Sequence, residues 1–178
     1  HTDNGRFECD TAIITAGIWS KELMLKLGLN IPLEAERGYH VVYKNASILP
    51  RNPMMMTIGK FGVTPMGSDL RCAGTVELGG IKLGPSKAPI KLLRRRVAEA
   101  FPKMSYDKTE EWFGFRPTAP DSLPLIGQLK ESGVYAAFGH QHIGMTSGPK
   151  TGRLIADIIN QRSPNIDISV YDPNRYNL

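Results

Sequence analysis

A short apolar strand that runs into small residues and then into a helix occurs near both ends of the sequence. The first instance is residues 9–17, followed by a predicted helix that starts at Ile18 and stops at Gly28. The second is residues 134–139, followed by a glycine-punctuated loop and a helix for which Ser147 is the expected N-cap. Two such strand–helix units predict an α/β domain whose parts are separated in sequence.

The residues between these units alternate as strands of an antiparallel sheet do. Residues 62–66 and 70–78 flank a Gly-Ser-Asp turn, which predicts a hairpin. Apolar residues from Ile90 to Phe101 have helical spacing, and Pro102 ends that helix. We therefore predict an α/β (α+β) fold, in which a mostly antiparallel insertion interrupts the α/β domain.

Composition and charge limit the classes of partner. The 178 residues are 41% hydrophobic, with only two cysteines and a net charge of +5. The sequence contains no run of about 18 apolar residues, so no transmembrane helix is predicted. The basic residues 91–96 lie on an amphipathic helix without interleaved aromatic residues, so a solvated helix face is favoured over a nucleic-acid partner.

Arg116 is the strongest single candidate for chemistry. It lies between Phe115 and Pro117, and a residue that precedes proline is restricted to extended geometry. A guanidinium in such apolar surroundings can bind a carboxylate through two parallel hydrogen bonds. The alternative is a structural ion pair, for which Asp121 is a nearby partner. The sequence leaves both interpretations open.

The loop at residues 139–146 precedes a predicted helix and contains Gly139 and Gly144. Backbone N–H groups at a helix N-terminus stabilise negative charge, either on a phosphate or on a reduced flavin ring. Glycines allow a ligand to approach the backbone closely. The alternative is a loop that serves only the turn.

Histidines and one tyrosine are further candidates. His140 and His142 lack a carboxylate or cysteine at metal-ligand spacing, so no metal site is predicted. Either histidine could line a pocket or be a satisfied core residue. Tyr39 and His40 could line the same pocket from the antiparallel sheet.

Five segments, taken in order, resemble a known family. Residues 10–20 are similar to the late strand of the FAD domain in the D-amino-acid oxidase superfamily. Residues 32–40 resemble the segment that enters the substrate domain, especially in D-amino acid dehydrogenases. Residues 114–121, 123–127 and 139–152 are similar to the C-terminal signature of that family.

The resemblance implies an FAD-dependent enzyme that oxidises D-amino acids, or glycine-like amines, to 2-oxo acids by hydride transfer to the flavin. It implies that Arg116 holds the substrate carboxylate. We predict that His142, Tyr39 and His40 also belong to the catalytic site. It places Gly144, Met145 and Thr146 along the flavin, and Thr15, Ala16 and Gly17 in a turn near the dinucleotide. We predict that Trp19, Gly139 and His140 also contact the cofactor.

The resemblance also implies a domain division. Residues 1–30 and 113–178 would belong to the FAD-binding domain, and residues 31–112 to the substrate-binding domain. The G-x-G-x-x-G of the family's dinucleotide fold does not occur in this sequence. We therefore expect a C-terminal part of a longer enzyme, whose partner is the missing N-terminal part and which alone neither binds FAD tightly nor turns over.

Three alternatives remain at this stage. A sarcosine-type oxidase usually attaches its flavin to a late cysteine, but no cysteine follows Cys72. Glycine oxidases carry a second arginine at the position of His142, which disfavours that specificity. A non-catalytic binding module would use Arg116 only as a structural ion pair. A cytoplasmic location is expected, with peripheral inner-membrane association as the alternative.

Overall fold

The computed structural model describes residues 2–130 and 132–176 of the chain. These residues form a mixed α/β fold, which confirms the predicted class. The strands are β1 (Ala12–Ile14), β2 (Glu34–Tyr43), β3 (Met54–Met56), β4 (Phe61–Met66), β5 (Asp69–Leu78), β6 (Thr109–Thr118), β7 (Leu125–Gln128) and β8 (Val134–Phe138). The α-helices are α1 (Ser20–Lys26), α2 (Lys87–Ala100) and α3 (Gly144–Ile159).

The chain divides into two compact units. Unit 1 comprises His1–Glu34 and Arg116–Leu178, and unit 2 comprises Ala35–Phe115. The predicted roles of these parts, FAD binding and substrate binding, stay predictions, as do the predicted boundaries.

Unit 1 is built on a three-stranded sheet of order β1-β8-β7. Strand β8 pairs in parallel with β1 and antiparallel with β7. The apolar face of α3 packs on this sheet, because Leu154 and Ile155 form a buried cluster with Ile126 of β7. Parallel pairing of β1 and β8 brings the ends of both strand–helix units to the same edge of the sheet.

Helix α3 begins earlier than the sequence predicted. Its first residue is Gly144, and Ile143 is the N-cap. The Ser147 hydroxyl donates back to the Ile143 carbonyl at 3.0 Å inside the first turn. The prediction of Ser147 as N-cap is therefore wrong, because its side chain satisfies a carbonyl of the preceding turn and not a free N–H group.

The C-terminal segment of unit 1 is held by a salt bridge to the loop before β7. Arg175 donates from Nε to Oδ2 of Asp121 at 2.8 Å and from Nη2 to the Leu123 carbonyl at 2.9 Å. Partial burial acts to raise the pKa of Asp121, but hydrogen bonds from Arg175 and from the Leu123 amide lower it to about 2.

Unit 2 contains a five-stranded sheet of order β3-β4-β5-β2-β6. Strands β4 and β5 form the predicted hairpin, whose turn passes through Gly67 at φ +66°. Helix α2 packs on one face of the sheet through Ile90, Leu93 and Val97. On strand β2, every second residue from Tyr39 to Tyr43 is buried beneath this helix. This spacing of two is what a sheet covered on one face requires.

A polar network lies at the edge of the unit 2 core. Arg37, only 2% exposed, donates from Nη1 to Glu77 at 3.1 Å and to the Gly84 carbonyl at 2.6 Å. The Tyr39 hydroxyl donates to Glu77 and accepts the Ser86 amide at 3.2 Å. These bonds fasten the loop that precedes α2 to strands β2 and β5.

None of the helices in the described part of the chain is both long and apolar enough to cross a membrane.

We expect Tyr39→Phe to lower the free energy of unfolding by about 1–3 kcal/mol, because a buried hydroxyl that serves two partners is lost. Urea unfolding followed by circular dichroism measures the change. Tyr106→Phe is the matched control, since that ring is 46% exposed. Equal losses in the two variants would contradict the assigned role of the Tyr39 hydroxyl.

We expect Arg175→Ala to raise the pKa of Asp121 from about 2 toward the unperturbed value of about 3.9. In the wild type, the stability contributed by Asp121 is present above the unfolded-state pKa and is lost as the pH falls through the folded-state value. The variant lacks this contribution, so its free energy of unfolding falls less between neutral and acidic pH. Carboxyl NMR titration measures the pKa, and an unchanged pKa would contradict the assignment.

Candidate active site

The site in unit 1 is organised by a sharp bend where β8 ends. Gly139 has φ +89°, and a Cβ there would lie 3.1 Å from Cδ1 of Leu125. The position therefore requires glycine both for its left-handed backbone and for its contact with β7. Beyond the bend, the Gln141 amide donates to the Pro117 carbonyl at 3.1 Å, and His140 pairs with Thr118 as an isolated bridge.

A cavity of about 320 Å³ opens beside this bend. His142 and Pro117 belong to its wall. Of the predicted cofactor-binding residues, six line it: Thr15, Gly17, Gly139, His140, Gly144 and Met145. The structure thus brings together two predicted segments that are more than a hundred residues apart in sequence.

The other three predicted cofactor residues have exposed positions next to these segments. Ala16 follows Thr15 in the turn after β1, and Thr146 lies in the first turn of α3. Trp19 ends a short 3-10 helix at Gly17–Trp19 and is 55% exposed. Their assignment to the cofactor stays a prediction.

The N-terminus of α3 presents backbone donors at the cavity. The amides of Thr146 and Ser147 both donate to the Ile143 carbonyl at 3.0 Å. Within the described residues, the amides of Gly144 and Met145 have no backbone acceptor outside the helix, and the first N–H groups of a helix have none within it. Together with the helix dipole, these donors favour a ligand group that carries negative charge.

His140 is held in place from the helix. Its Nε2 atom lies 2.8 Å from the Thr151 hydroxyl, and burial lowers the pKa of its ring. The neutral ring is therefore favoured at neutral pH. His142, in contrast, is exposed on the cavity wall, where it can meet a ligand.

A second groove of unit 1, of about 560 Å³, runs along α3 and the sheet. Its floor consists of small and aliphatic residues, including Ile13, Ala137, Gly148, Gly152 and Ala156. Strand β1 ends the sheet on this side, and its outer edge pairs with no strand in the described part of the chain.

Arg116 has no ion-pair partner among residues 2–130 and 132–176. Asp121, the partner that the sequence suggested, binds Arg175 instead. The interpretation of Arg116 as an ion pair with Asp121 is therefore wrong. Arg116 is half-buried, and it directly precedes Pro117 of the cavity wall.

Tyr39 and His40 of unit 2 do not share a face of the sheet. Tyr39 is 2% exposed and packs in the core beneath α2. His40 is half-buried and stacks on Trp112, with ring centroids 4.9 Å apart. Neighbouring residues of a strand point to opposite faces. Tyr39 lines a cavity of about 590 Å³ beside α2, and His40 is not among the residues of its wall. The predicted catalytic roles of Tyr39 and His40 stay predictions.

Sequence reasoning missed Arg71 and Trp112, the two partners of His40. Nη2 of Arg71 lies 3.1 Å from Nδ1 of His40. The register of β2 and β5 pairs His40 with Ala73, so Arg71 is a diagonal neighbour on the adjacent strand. This register could have revealed it, but it depends on a bulge after Gly38 that the sequence does not mark. In the described part of the chain, no group of three or more His, Cys, Asp or Glu side chains could hold a metal ion.

Comparisons with known proteins agree with this architecture. The DAO family, described as FAD dependent oxidoreductase, matches residues 1–158. A D-amino-acid oxidase of Bradyrhizobium diazoefficiens is 38% identical over 180 residues, which cover 98% of this chain and 43% of that protein. A D-amino acid dehydrogenase of the same organism is 29% identical over 178 residues, which cover 98% of this chain and 42% of that protein.

A solved structure has the same fold. The glycine oxidase of Geobacillus kaustophilus aligns with a TM-score of 0.84 and 24% identity, covering 97% of this chain and 47% of that one. The chain thus spans less than half the length of these three proteins. The family match over residues 1–158 places the chain in the DAO family of FAD-dependent oxidoreductases.

Proposed function

We propose that this chain is the C-terminal part of an enzyme that oxidatively deaminates D-amino acids to 2-oxo acids. The observation that carries the proposal is Arg116, a half-buried guanidinium without an ion-pair partner in the described residues, next to the wall of the unit 1 cavity. A half-buried guanidinium can bind a carboxylate through two parallel hydrogen bonds, and an amino acid substrate supplies a carboxylate.

The cavity of unit 1 is suited to part of a flavin. Gly17, Gly139 and Gly144 contribute no side chains to its wall, so a planar ring can approach the backbone at these positions. The free amides at the start of α3 would stabilise negative charge on that ring. When bound, FAD would accept the hydride from the substrate α-carbon, and water would hydrolyse the resulting imino acid to a 2-oxo acid and ammonia.

The residues of this chain would contribute mainly by positioning. Arg116 would hold the substrate carboxylate through two parallel hydrogen bonds, which fixes the α-carbon in one orientation. His140, kept neutral by burial and held by Thr151, would support the loop. His142 would face the ligand from the cavity wall. The presence of His142 where glycine oxidases are expected to carry arginine favours a D-amino acid over glycine.

We further propose that the missing N-terminal part covers the second groove of unit 1. The relatives are more than twice as long as this chain, which agrees with the proposal of a further, N-terminal part. The unpaired edge of β1 could accept another parallel strand, and the small residues of the groove could accept a closely packed helix. The dinucleotide-binding motif would belong to that part.

We expect Gly144→Val to weaken FAD binding by the full-length enzyme at least about tenfold, equivalent to roughly 1.4 kcal/mol. A Cβ at this position would already lie 3.3 Å from Cβ of His140, and the larger side chain would enter the cavity. Titration of the apoenzyme with FAD, followed by flavin absorbance, measures the dissociation constant.

Gly84→Ala is the matched control for this change, since a Cβ there meets nothing within 4 Å. FAD affinity should be unchanged in the control. An unchanged affinity in Gly144→Val would argue against a flavin next to the start of α3.

We expect Arg116→Ala in the full-length enzyme to raise KM for D-amino acids about 10- to 150-fold, because a hydrogen bond between charged groups contributes about 1.5–3 kcal/mol. Arg116→Lys should recover part of this loss, since it restores the charge without the two parallel donors. Steady-state kinetics with D-alanine measures the effect.

Arg162→Ala removes an exposed arginine of the same unit and serves as the control. If the kinetic constants of Arg116→Ala equal those of the control, the carboxylate clamp is wrong. A full-length enzyme with bound FAD that oxidises no D-amino acid would overturn the proposed substrate class.

A further inference from the structure

The five-stranded sheet of unit 2 ends on a long strand. Its order is β3-β4-β5-β2-β6, so β3 and β6 are the two edges. Strand β3 has only three residues, whereas β6 has ten. A short edge strand limits unwanted pairing, because it exposes few unpaired N–H and C=O groups. The edge at β6 lacks this protection, so a further strand can extend the sheet there.

The burial of side chains along β6 agrees with an uncovered edge. Its neighbour β2 also has ten residues, of which six are buried, but β6 contains no buried residue. Phe113 packs on the core of unit 2 and contacts Tyr39, with ring centroids 6.2 Å apart, yet its side chain is only half-buried. An apolar side chain placed on Phe113 would remove further apolar surface from water, which is favourable.

A groove lies between β6 and helix α2. It is the cavity of about 590 Å³ beside α2, and we call it the α2 groove. Its apolar interior is formed by Tyr39, Ile90 and Phe113, and its basic rim by Lys87, Lys91 and Arg94. Packed protein interiors contain few voids larger than a water molecule. A space of this size is therefore a surface that another element can cover.

The rim of the α2 groove carries an excess of positive charge. Arg94 of α2 pairs with Glu111 of β6 at 2.8 Å, so that cation is compensated. Lys87 and Lys91 lie one helical turn apart, and neither forms an ion pair within the described residues. Exposed lysines need no partner, so these charges alone indicate nothing. Beside an apolar groove and an open strand edge, they favour a covering element with acidic side chains.

We propose that an extended segment from the N-terminal part of the enzyme pairs with residues 109–113 of β6 and covers the α2 groove. The segment adds a further strand to the sheet and places apolar side chains on Ile90 and Phe113. It places acidic side chains next to Lys87 and Lys91. The inference rests on the proposed function in one respect, which is that this chain is the C-terminal part of a longer enzyme.

A second copy of the chain fits this surface less well. In a twofold interface, the same patch of each copy meets its counterpart. Pairing of β6 with β6 would therefore bring two basic rims together, and like charges repel each other. The relatives are more than twice as long as this chain, so an enzyme of their length contains ample sequence for such a segment.

Hydrogen exchange in the full-length enzyme tests the strand pairing. Along an edge strand, alternate amides point away from the sheet and exchange rapidly unless another strand accepts their hydrogen bonds. We expect every amide from Thr109 to Phe113 to exchange at least about tenfold more slowly than in an unfolded chain. Alternation of slow and unprotected amides over residues 109–113 would overturn the proposal.

Carbodiimide cross-linking of the full-length enzyme tests the acidic contacts, because the reagent joins a lysine amine directly to a neighbouring carboxylate. We expect Lys87 or Lys91 to link to an Asp or Glu that precedes residue 1 in the same polypeptide. Lys103 is the matched control, since it is exposed beyond the end of α2 and does not line the groove. It should form no link to that acidic residue.

A mixture of unlabelled and isotope-labelled enzyme distinguishes the occupants in the cross-linking experiment. A link from Lys87 or Lys91 within one molecule supports the N-terminal segment. A link between differently labelled molecules identifies a second copy and overturns the proposal. The absence of any link from both lysines also overturns it, because the proposed segment is acidic.

Charge reversal on α2 provides a further test. Lys87→Glu combined with Lys91→Glu should accelerate exchange of the outward-pointing amides of residues 109–113 at least about tenfold, because like charges then oppose the segment. Lys103→Glu should leave that exchange unchanged, and equal rates in the two variants would contradict the acidic contacts. If the double variant does not fold, the exchange and the cross-links of the wild type decide.

None of these measurements depends on a substrate. An enzyme that oxidises no D-amino acid, but shows the cross-link and the protected edge, keeps this inference and loses the proposed reaction. An active enzyme with an unprotected β6 edge keeps the reaction and loses this inference.

Discussion

The close contact of Gly139 with strand β7 is the constraint on which the geometry of unit 1 depends. With φ +89° and only 3.1 Å between a hypothetical Cβ and Leu125, the chain can leave β8 in this direction only at a glycine. The bend carries His140 to its bridge with Thr118 and the Gln141 amide to the Pro117 carbonyl. One backbone requirement thereby places the start of α3 beside the strand that contains Arg116.

In unit 2, the main constraint is a buried arginine. Arg37 is almost fully enclosed, and one of its nitrogens, Nε, has no hydrogen-bond partner. Its Nη1 atom donates to Glu77 and to the Gly84 carbonyl, and Tyr39 also donates to that glutamate. Breaking one member of such a network leaves a buried charge without its partner, so the group acts as a unit that fixes the loop before α2.

Much of the fold could be predicted from the sequence, because the local patterns are strong. The positions of glycine and proline predicted the β4–β5 hairpin, the end of α2 and the strand–helix turn after β1. The start of α3 could not be predicted in this way. Serine is a common N-cap, but here the N-cap is Ile143, four residues before the predicted one, and Ser147 bonds within the first turn.

The candidate site was harder to predict, because the role of each charged residue depends on partners that are distant in sequence. Asp121 was a reasonable partner for Arg116 until the fold brought Arg175 to it across 54 residues. Because Asp121 binds Arg175, Arg116 is left without the ion pair that the sequence had suggested.

Arg71 had no marker in the sequence, since only the register of β2 and β5 sets it beside His40. Neither Arg116 nor Arg71 forms an ion pair within the described residues, which no sequence pattern expresses. A half-buried guanidinium without such a pair can bind the carboxylate of a ligand through two parallel hydrogen bonds, which is the role that we propose for Arg116.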